Sequence, residues 1–279
     1  MASEKTAPGP LDTVVPHMST PSELDPLPLT GERTVPGVAR ENYWFRRHEA
    51  VYQMLSPAGN ELCAAKVVLE AGSGEGYGAN LLAQHAETVF ALDYDQQAIA
   101  HTCAKYPQVA AVRGNLAALP FQSGSIDVIV NLQVIEHLWD QIGFLRECHR
   151  VLRENGTLVV STPNRITFSP GRRTPLNPFH TKEFAPKELW DLMVEAGFAR
   201  TSMTGLYHGA RLAELDSKHP GGLIGAQTEL AISGQAWPEA LRDAVSSVTT
   251  KDFVFETRAY ETVGELDTSL DLIAFGAKA

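Results

Sequence analysis

The sequence predicts an α/β fold, in which a mostly parallel sheet carries helices on both faces. Between positions 66 and 161, short aliphatic runs alternate with helical patterns and glycine turns, and no internal repeat interrupts the alternation. Such an alternation is typical of parallel strands joined by helices. The chain has 279 residues, which is enough to bury the core of one such domain with additions.

The stretch 66–78 contains the most informative pattern. Residues 67–69 form an aliphatic run that suits a strand buried on both faces of a sheet, and Glu70 ends this run. Three glycines follow at alternate positions: Gly72, Gly74 and Gly76. A helical pattern then begins near Tyr77. A strand, a tight glycine turn and a helix bring bare backbone against a nucleotide-like ligand.

The spacing of the glycines distinguishes two classes of nucleotide site. The G-x-G-x-x-G fingerprint of dinucleotide folds would place its third glycine at position 77, which is Tyr77 here. The observed pattern is acidic-x-G-x-G-x-G, and in it the sequence resembles motif I of the class I S-adenosylmethionine-dependent methyltransferases. The resemblance implies a Rossmann-like fold with a seven-stranded, mostly parallel sheet, and S-adenosyl-L-methionine as the cofactor. It implies that Glu70, Ser73 and the three glycines surround the methionine part of the donor.

The chain before the glycine turn is predicted to contain an arm and a helix. Residues 1–34 are rich in Pro, Ser and Thr and are predicted to be a disordered arm. Residues 41–55 place apolar side chains at helical spacing. In the family that this chain resembles, a helix at this place often closes over the cofactor, so Tyr43 or Trp44 is a candidate to face the sulfonium and the substrate. The alternative, that both rings belong to the core, stays open.

Further donor contacts are expected where the next three predicted strands end. These strands cover 88–92, 109–112 and 126–130. Asp93 lies 17 residues beyond Gly76, close to the separation of roughly 20 at which an acidic residue binds ribose hydroxyls. Its alternative role is that of a polar residue in a turn. The resemblance adds five candidates for the cofactor site: Tyr94, Asn115, Leu116, Asn131 and Gln133. The amide of Asn115 stands where the family has an acidic residue that meets the adenine amino group.

Two histidines follow the fourth and fifth predicted strands. In the sugar and small-molecule O-methyltransferases that the chain resembles, a histidine at the position of His137 is the general base, a role worth roughly 10²–10⁴-fold in rate. The alternative is that His137 caps or packs against the next helix. A long polar loop follows the strand predicted over 157–160 and ends at His180, a second candidate catalytic residue or a structural one. Asn164 and Arg165 are candidates for binding the substrate.

The rest of the chain completes one domain, predicted over 35–279. A helix is predicted over 186–196 and a strand over 199–206, and the last strand, 270–275, is antiparallel to the others in the family that the chain resembles. Segment 207–250 is longer than a hairpin requires and contains two helical patterns. We interpret it as an insertion that is either a lid or an oligomerisation element. The second alternative would make the protein a homodimer.

The amino-acid composition makes some classes of binding partner improbable. The net charge of −10 and the lack of a basic stripe disfavour nucleic acid. Three cysteines, odd in number and far apart, support neither disulfides nor a zinc site, so we assign no metal ligands and predict a cytoplasmic location. Assistance by a divalent ion stays open. No apolar run is long enough to span a bilayer.

Five segments carry a finer resemblance: ENYWFRRHEAVYQ, LEAGSGEGYGANL, VIEHLWDQ, STPNRITFSPGR and NPFHT. They resemble actinobacterial methyltransferases of polymethylated polysaccharides, in particular methylglucose lipopolysaccharide. This implies methyl transfer to a sugar hydroxyl. The alternatives are O-methylation of a lipid or phenol, a non-catalytic donor-binding partner subunit, and a nicotinamide oxidoreductase, which Tyr77 disfavours. Base methylation is disfavoured because the Asn-Pro-Phe triplet follows the fifth strand rather than the fourth.

Overall fold

The structure is a computed structural model, and it describes most of the chain. The described ranges are 33–56, 61–198 and 200–279, without the side chains of 260 and 261. The arm predicted over 1–34 therefore lies outside the described residues, except for Arg33 and Thr34. Both of these residues make contacts with the domain, which are given below.

An eight-stranded sheet forms the centre of the described chain. Its strands are β1 Val67–Ala71, β2 Thr88–Asp93, β3 Ala110–Arg113, β4 Ile126–Leu132, β5 Leu152–Pro163, β6 Arg200–His208, β7 Phe253–Arg258 and β8 Asp271–Ala277. They are arranged in the order β3-β2-β1-β4-β5-β8-β6-β7. The first five strands are parallel, and β8 pairs antiparallel with both β5 and β6. The predicted α/β fold and the antiparallel last strand are confirmed.

The sheet has eight strands rather than the seven expected, and the additional strand is β7. It pairs antiparallel with β6 at the edge of the sheet, where only its first residue, Phe253, is buried. Val254 is 43% exposed, and Glu256 forms an ion pair with Arg258. An edge strand with little buried surface lacks the aliphatic run that marks the central strands. This explains why the sequence does not predict this strand.

Helices cover both faces of the sheet. Within the described ranges they are α1 Asn42–Met54, α2 Tyr77–Leu82, α3 Gln96–Lys105, α4 Gln141–Val151, α5 Arg165–Phe168, α6 Pro186–Glu195, α7 Ala210–Asp216, α8 Gly222–Ser233 and α9 Glu239–Ser246. Short 3-10 helices lie at Ala39–Glu41, Ile135–His137, Thr250–Asp252 and Tyr260–Thr268. Apolar residues of α1, α2 and α9 fill one core cluster, and those of α4 and α6 fill the other. None of these helices combines the length and the apolar character needed to cross a bilayer.

The topology places a crevice at the carboxyl ends of β1 and β4. From β1 the chain proceeds outward through β2 and β3, then returns to the other side of β1 to continue through β4 and β5. In open parallel sheets, ligands bind where the strand order reverses in this way. A ligand-binding site is therefore expected at the residues that end β1, β2 and β4.

The insertion predicted over 207–250 coincides with the connection between β6 and β7. It contains α7, α8 and α9, so its two predicted helices are present. The side chain of Asn42 in α1 donates hydrogen bonds to the carbonyls of Val245 at 2.9 Å and Val248 at 3.0 Å. The insertion is thus anchored to α1 on one face of the sheet.

Candidate active site

The turn between β1 and α2 is built from glycines that leave no room for side chains. Gly72 donates a backbone hydrogen bond to the Leu92 carbonyl of β2 at 2.8 Å, and its φ is +90°. A Cβ at Gly72 would lie 2.7 Å from Val134, and a Cβ at Gly76, where φ is +92°, would lie 2.5 Å from Thr102. Only glycine combines this backbone conformation with such close packing. Two of the three glycines therefore shape the turn itself.

Gly74, the middle glycine, instead presents bare backbone to an open space. Its φ is +54°, and a Cβ there would have only one described neighbour within 4 Å, the Cβ of Arg33 at 3.8 Å. The Arg33 guanidinium pairs through Nη2 with Asp95 at 2.6 Å, whereas its buried Nη1 has no hydrogen-bond partner in the described chain. A bare turn beside an unsatisfied guanidinium nitrogen can bind the carboxylate of an amino-acid-like ligand. The sequence interpretation missed Arg33 because it lies in the predicted arm.

Asp93 ends β2 beside the turn, as the sequence predicts. Its Oδ2 accepts from the Gly74 amide at 2.7 Å and its Oδ1 accepts from the Asp95 amide at 2.9 Å. Tyr94 follows with 74% of its surface exposed. The donor-binding roles of Asp93 and Tyr94 stay predictions.

Asn115 and Leu116 follow β3. The side-chain oxygen of Asn115, Oδ1, is the atom that the resemblance assigns to the adenine amino group. It accepts a hydrogen bond from the backbone amide of Ala117 at 2.9 Å. Leu116 is half-buried and packs against the core on the α4 face. Both residues lie just beyond the end of β3, where the sequence predicts them, and adenine binding by Asn115 would require its side chain to leave this turn.

Glu70 and Asn131 lie beneath the turn rather than on its open side. Glu70 is 1% exposed and accepts a short hydrogen bond from the Tyr52 hydroxyl. A Cβ at Gly78 would overlap the side chains of Tyr52 and Glu70, so Gly78 packs tightly against both of them. The buried Asn131 donates through Nδ2 to the Ala71 carbonyl at 2.7 Å, linking β4 to the end of β1. Both side chains support the turn from below.

Burial raises the pKa of Glu70 to about 8, and this predicts a pH-dependent stability. A carboxyl whose pKa is higher in the folded state binds its proton more tightly there, so stability falls as pH rises from about 4.5 to about 8. Glu70→Gln removes this loss. We expect the variant's thermal midpoint to gain on the wild type as pH rises, and to exceed it at pH 8 by at least ~2–4 °C, the shift that each ~1 kcal/mol produces.

Calorimetric unfolding at pH 5, 6.5 and 8 measures this difference. The exposed Glu87 provides the matched control, since Glu87→Gln is expected to follow the wild-type midpoint at every pH. A constant difference between Glu70→Gln and the wild type across this range would contradict a carboxyl that is protonated in the fold.

A pocket of ≈ 370 Å³ lies beside the glycine turn. Its wall comes from the start of the described chain, α1, the segment after β4, the loop before α6, and α8. Representative lining residues are Arg33, Trp44, Gln133, His137, His180 and Gln227. The pocket thus combines three large aromatic rings, those of Trp44, Phe168 and Phe179, with several hydrogen-bonding side chains, and it contains both predicted histidines.

Of the two aromatic rings proposed to face the substrate, only Trp44 lines the pocket. Tyr43 is fully buried, and its hydroxyl lies 2.8 Å from Nε2 of His208, in contact with the insertion side of the core. Successive residues of a helix point about 100° apart, so one of two neighbouring rings faces away from a given site. The structure therefore places Tyr43 in the core, which is the alternative that the sequence left open, and its substrate contact stays an untested prediction.

The substrate contacts predicted for Asn164 and Arg165 find no support in the arrangement of the pocket and stay untested predictions. Asn164 is fully buried, and its amide donates to the Leu266 carbonyl at 3.0 Å, among other backbone acceptors. Arg165 pairs with Glu188 at 3.1 Å near the surface. Neither residue belongs to the described wall of the pocket. Both polar side chains hold the loop after β5 in place.

Gln133 has a strained backbone at the floor of the pocket. Its φ of +56° is unusual for a residue other than glycine. Its Nε2 donates to the Ser161 hydroxyl at 2.9 Å and to Oδ1 of Asp271 at 3.2 Å. Asp271 also forms an ion pair with the buried Arg47 at 2.6 Å. Arg47 lines the pocket, and the sequence interpretation missed it. Backbone strain of this kind is concentrated at functional sites.

His137 and His180 lie against each other in the pocket, with ring centroids 4.8 Å apart and planes at 84°. Nδ1 of His137 lies 3.1 Å from the Phe179 carbonyl, which can only accept, so Nδ1 carries the hydrogen and the lone pair is on Nε2. Burial, with a smaller effect of neighbouring His180, lowers the pKa of His137 to about 4. Nδ1 of His180 lies 2.7 Å from Oε1 of the buried Glu183. The two predicted histidines are thus brought together.

Glu136 completes a group of three possible metal ligands. It is 1% exposed, and its Oε2 accepts from the Thr162 hydroxyl at 3.0 Å. One ligand atom from each of Glu136, His137 and His180 lies within 4.8 Å of the other two. The sequence does not predict this group, since His180 lies 43 positions after His137 and the spacing gives no sign that they meet. These side chains could hold a cation.

Comparison with known proteins places the chain among methyltransferases. A family model described as a methyltransferase domain matches residues 69–160. Two relatives, from Mycobacterium tuberculosis H37Rv and Mycolicibacterium smegmatis, are each named a probable S-adenosylmethionine-dependent methyltransferase. Each is 54% identical over 252 residues, which is 90% of this chain and 90% and 95% of the respective relatives.

Among solved structures, an S-adenosylmethionine-dependent methyltransferase from Thermotoga maritima, a possible histamine N-methyltransferase, has the same fold. Its TM-score is 0.56 at 19% identity, over 85% of this chain and 93% of that one.

This chain therefore belongs to the class I S-adenosylmethionine-dependent methyltransferases. Its cofactor is S-adenosylmethionine, and the turn fits that ligand because it offers bare backbone at Gly74 and a buried Arg33 nitrogen that has no partner among the described residues. Both features suit the amino-acid end of the donor.

Proposed function

We propose that the protein methylates a hydroxyl of a sugar or oligosaccharide, with glucose units of a polymethylated polysaccharide as the leading acceptor. The observation that carries this proposal is the pocket beside the donor turn. Trp44 provides an apolar ring for the carbon face of a sugar, and Gln133, Gln227 and the two histidines provide hydrogen-bonding groups for its hydroxyls. A pocket with an aromatic surface and several convergent polar groups suits such a ligand.

On the donor side, each residue role follows from its position. S-adenosylmethionine, when bound, supplies an electrophilic methyl group on a positively charged sulfur. Arg33 binds its carboxylate through Nη1, and the Gly74 backbone allows close approach. The Asp93 carboxylate accepts hydrogen bonds from neighbouring ribose hydroxyls, as its place at the end of β2 suggests. These contacts fix the direction from which an acceptor must attack.

On the acceptor side, we propose that His137 acts as the general base. A neutral hydroxyl must lose its proton as it attacks, and Nε2 of His137 carries the lone pair that accepts this proton. His180, whose Nδ1 lies 2.7 Å from the Glu183 carboxylate, positions the ring of His137 and binds the acceptor. Positioning contributes as well, because the attacking oxygen and the transferred carbon must be aligned.

We propose that the insertion 207–250 serves as a lid. Gln227, Thr228 and Ala231 of α8 line the pocket, so this helix covers the acceptor. An oligomerisation role, and with it a homodimer, stays a prediction. The cysteines are all free thiols, which supports the proposed cytoplasmic location.

A transfer assay with isotopically labelled S-adenosylmethionine tests the acceptor class. Maltooctaose, a phenol mixture and a lipid mixture are offered separately, and products are identified by mass spectrometry. We expect label in an O-methylated glucose unit of maltooctaose. Label in the phenol or lipid fraction alone would overturn the sugar proposal. Tight donor binding without transfer to any acceptor class would favour the partner-subunit alternative.

A further inference from the structure

We infer that Glu136, His137 and His180 form a binding site for a divalent transition-metal cation in the acceptor pocket. All three residues line this pocket, and one ligand atom of each lies within 4.8 Å of the other two. Three ligands that bind one cation at about 2.1 Å in a tetrahedral or octahedral arrangement lie about 3.0–3.4 Å apart. The longest separation in the cluster therefore needs to shrink by about 1.4–1.8 Å, so we expect side-chain rotation when the cation binds, and His137 is the half-buried member of the three.

The surroundings of both histidines match those of metal ligands. A metal-bound histidine almost always donates its other ring N–H to a carboxylate or a carbonyl. His180 has such a partner in the buried Glu183 carboxylate at 2.7 Å, and His137 has one in the Phe179 carbonyl at 3.1 Å. In both rings this leaves Nε2 as the ligand atom. The Asn177 amide lies 3.0 Å from Nε2 of His180, so we expect it to turn away when the cation binds.

Charge supplies the second argument. Glu136 is 1% exposed, and within the described ranges no Lys or Arg lies within ion-pair distance of its carboxylate. A buried carboxylate is costly unless it is paired or coordinates a metal. Two imidazoles and one carboxylate suit Mn²⁺, Fe²⁺, Co²⁺ or Zn²⁺ better than Mg²⁺ or Ca²⁺, which prefer oxygen ligands.

Three protein ligands leave coordination positions that face the pocket. If the proposed function holds, two neighbouring sugar hydroxyls occupy these positions and the cation makes one of them more acidic. The proton of that hydroxyl then passes to water in the pocket, the oxygen forms its bond to the methyl carbon, and the carbon–sulfur bond breaks. His137 is then a ligand, and this role replaces its proposed role as the base. The chemistry depends on the proposed sugar acceptor, whereas cation binding does not.

Titration of the tag-free, chelator-treated full chain with Mn²⁺ tests the site, without donor or acceptor. Calorimetry and the loss of the free Mn²⁺ electron paramagnetic resonance signal are expected to give one bound ion per chain. His137→Gln and His180→Gln are expected to weaken binding at least about 100-fold. Glu183→Gln, which alters only the partner of His180, is expected to cost about 10–100-fold. Co²⁺ is expected to show a visible absorption spectrum that the first two variants lose.

The exposed His85 provides the control, because His85→Gln is expected to bind Mn²⁺ as the wild type does. S-adenosylhomocysteine binding by each variant verifies that it is folded. The inference is overturned if the wild type binds neither Mn²⁺ nor Co²⁺ stoichiometrically, or if the folded His137 and His180 variants bind them normally. Stoichiometric Mn²⁺ binding without methylation of maltooctaose would support the cation site and count against the proposed function.

Discussion

Gly74→Val is expected to remove S-adenosylhomocysteine binding while the protein stays folded. Among the described residues, a Cβ at this position would meet only the Cβ of Arg33, at 3.8 Å, so the valine branches extend into the space over the turn. That space is where the donor must approach the backbone. We expect affinity to fall at least about 100-fold, or ~2.7 kcal/mol, in isothermal titration calorimetry.

Gly124→Val is the matched control for backbone strain. Gly124 also has a left-handed backbone, with φ of +68°, and a Cβ there has no described neighbour within 4 Å. A left-handed conformation costs a residue with a Cβ roughly 1–2 kcal/mol, and both variants carry this cost. Gly124→Val is expected to bind S-adenosylhomocysteine normally. Normal affinity in folded Gly74→Val would remove the turn from the donor site.

His137→Ala is expected to lower turnover by roughly 10²–10⁴-fold and to leave S-adenosylhomocysteine affinity within about twofold of the wild type. The physical reason is that His137 lies in the acceptor pocket, where its Nε2 lone pair serves either as the proton acceptor or as a metal ligand. Single-turnover transfer to maltooctaose, with labelled donor in excess, measures the loss. His85→Ala is the control, with unchanged turnover expected.

Added Mn²⁺ distinguishes the two roles of His137. If His137 is only a base, chelator treatment leaves wild-type turnover unchanged and Mn²⁺ has no effect. If it is a ligand, chelation reduces wild-type turnover and Mn²⁺ restores it, whereas the variant stays inactive at the same Mn²⁺ concentration. Full activity of His137→Ala would exclude both roles.

The fold follows from local patterns in the sequence. Strands β1, β2 and β4 are buried aliphatic runs, and the glycine turn after β1 has a spacing that specifies its ligand class. Strand β7 gives no such signal because it lies at the edge and buries little. The parts of the fold that the sequence predicts are those in which burial imposes a composition.

The site is less predictable because it depends on which way side chains point. Periodicity identifies α1 but does not tell which of its neighbouring rings, Tyr43 or Trp44, faces the pocket. Polar residues at strand ends, such as Asn164, satisfy buried backbone carbonyls as readily as they bind substrates. The Glu136, His137 and His180 cluster forms only when the loop before α6 folds back onto the segment after β4.

A crystal structure of the protein with S-adenosylhomocysteine would test whether the glycine turn is the donor site. The account predicts electron density along the carboxyl ends of β1, β2 and β4, with the ligand's carboxylate at Arg33, its backbone contact at Gly74 and its ribose at Asp93. Saturating S-adenosylhomocysteine that leaves this crevice without ligand density, or that binds elsewhere on the protein, would contradict it.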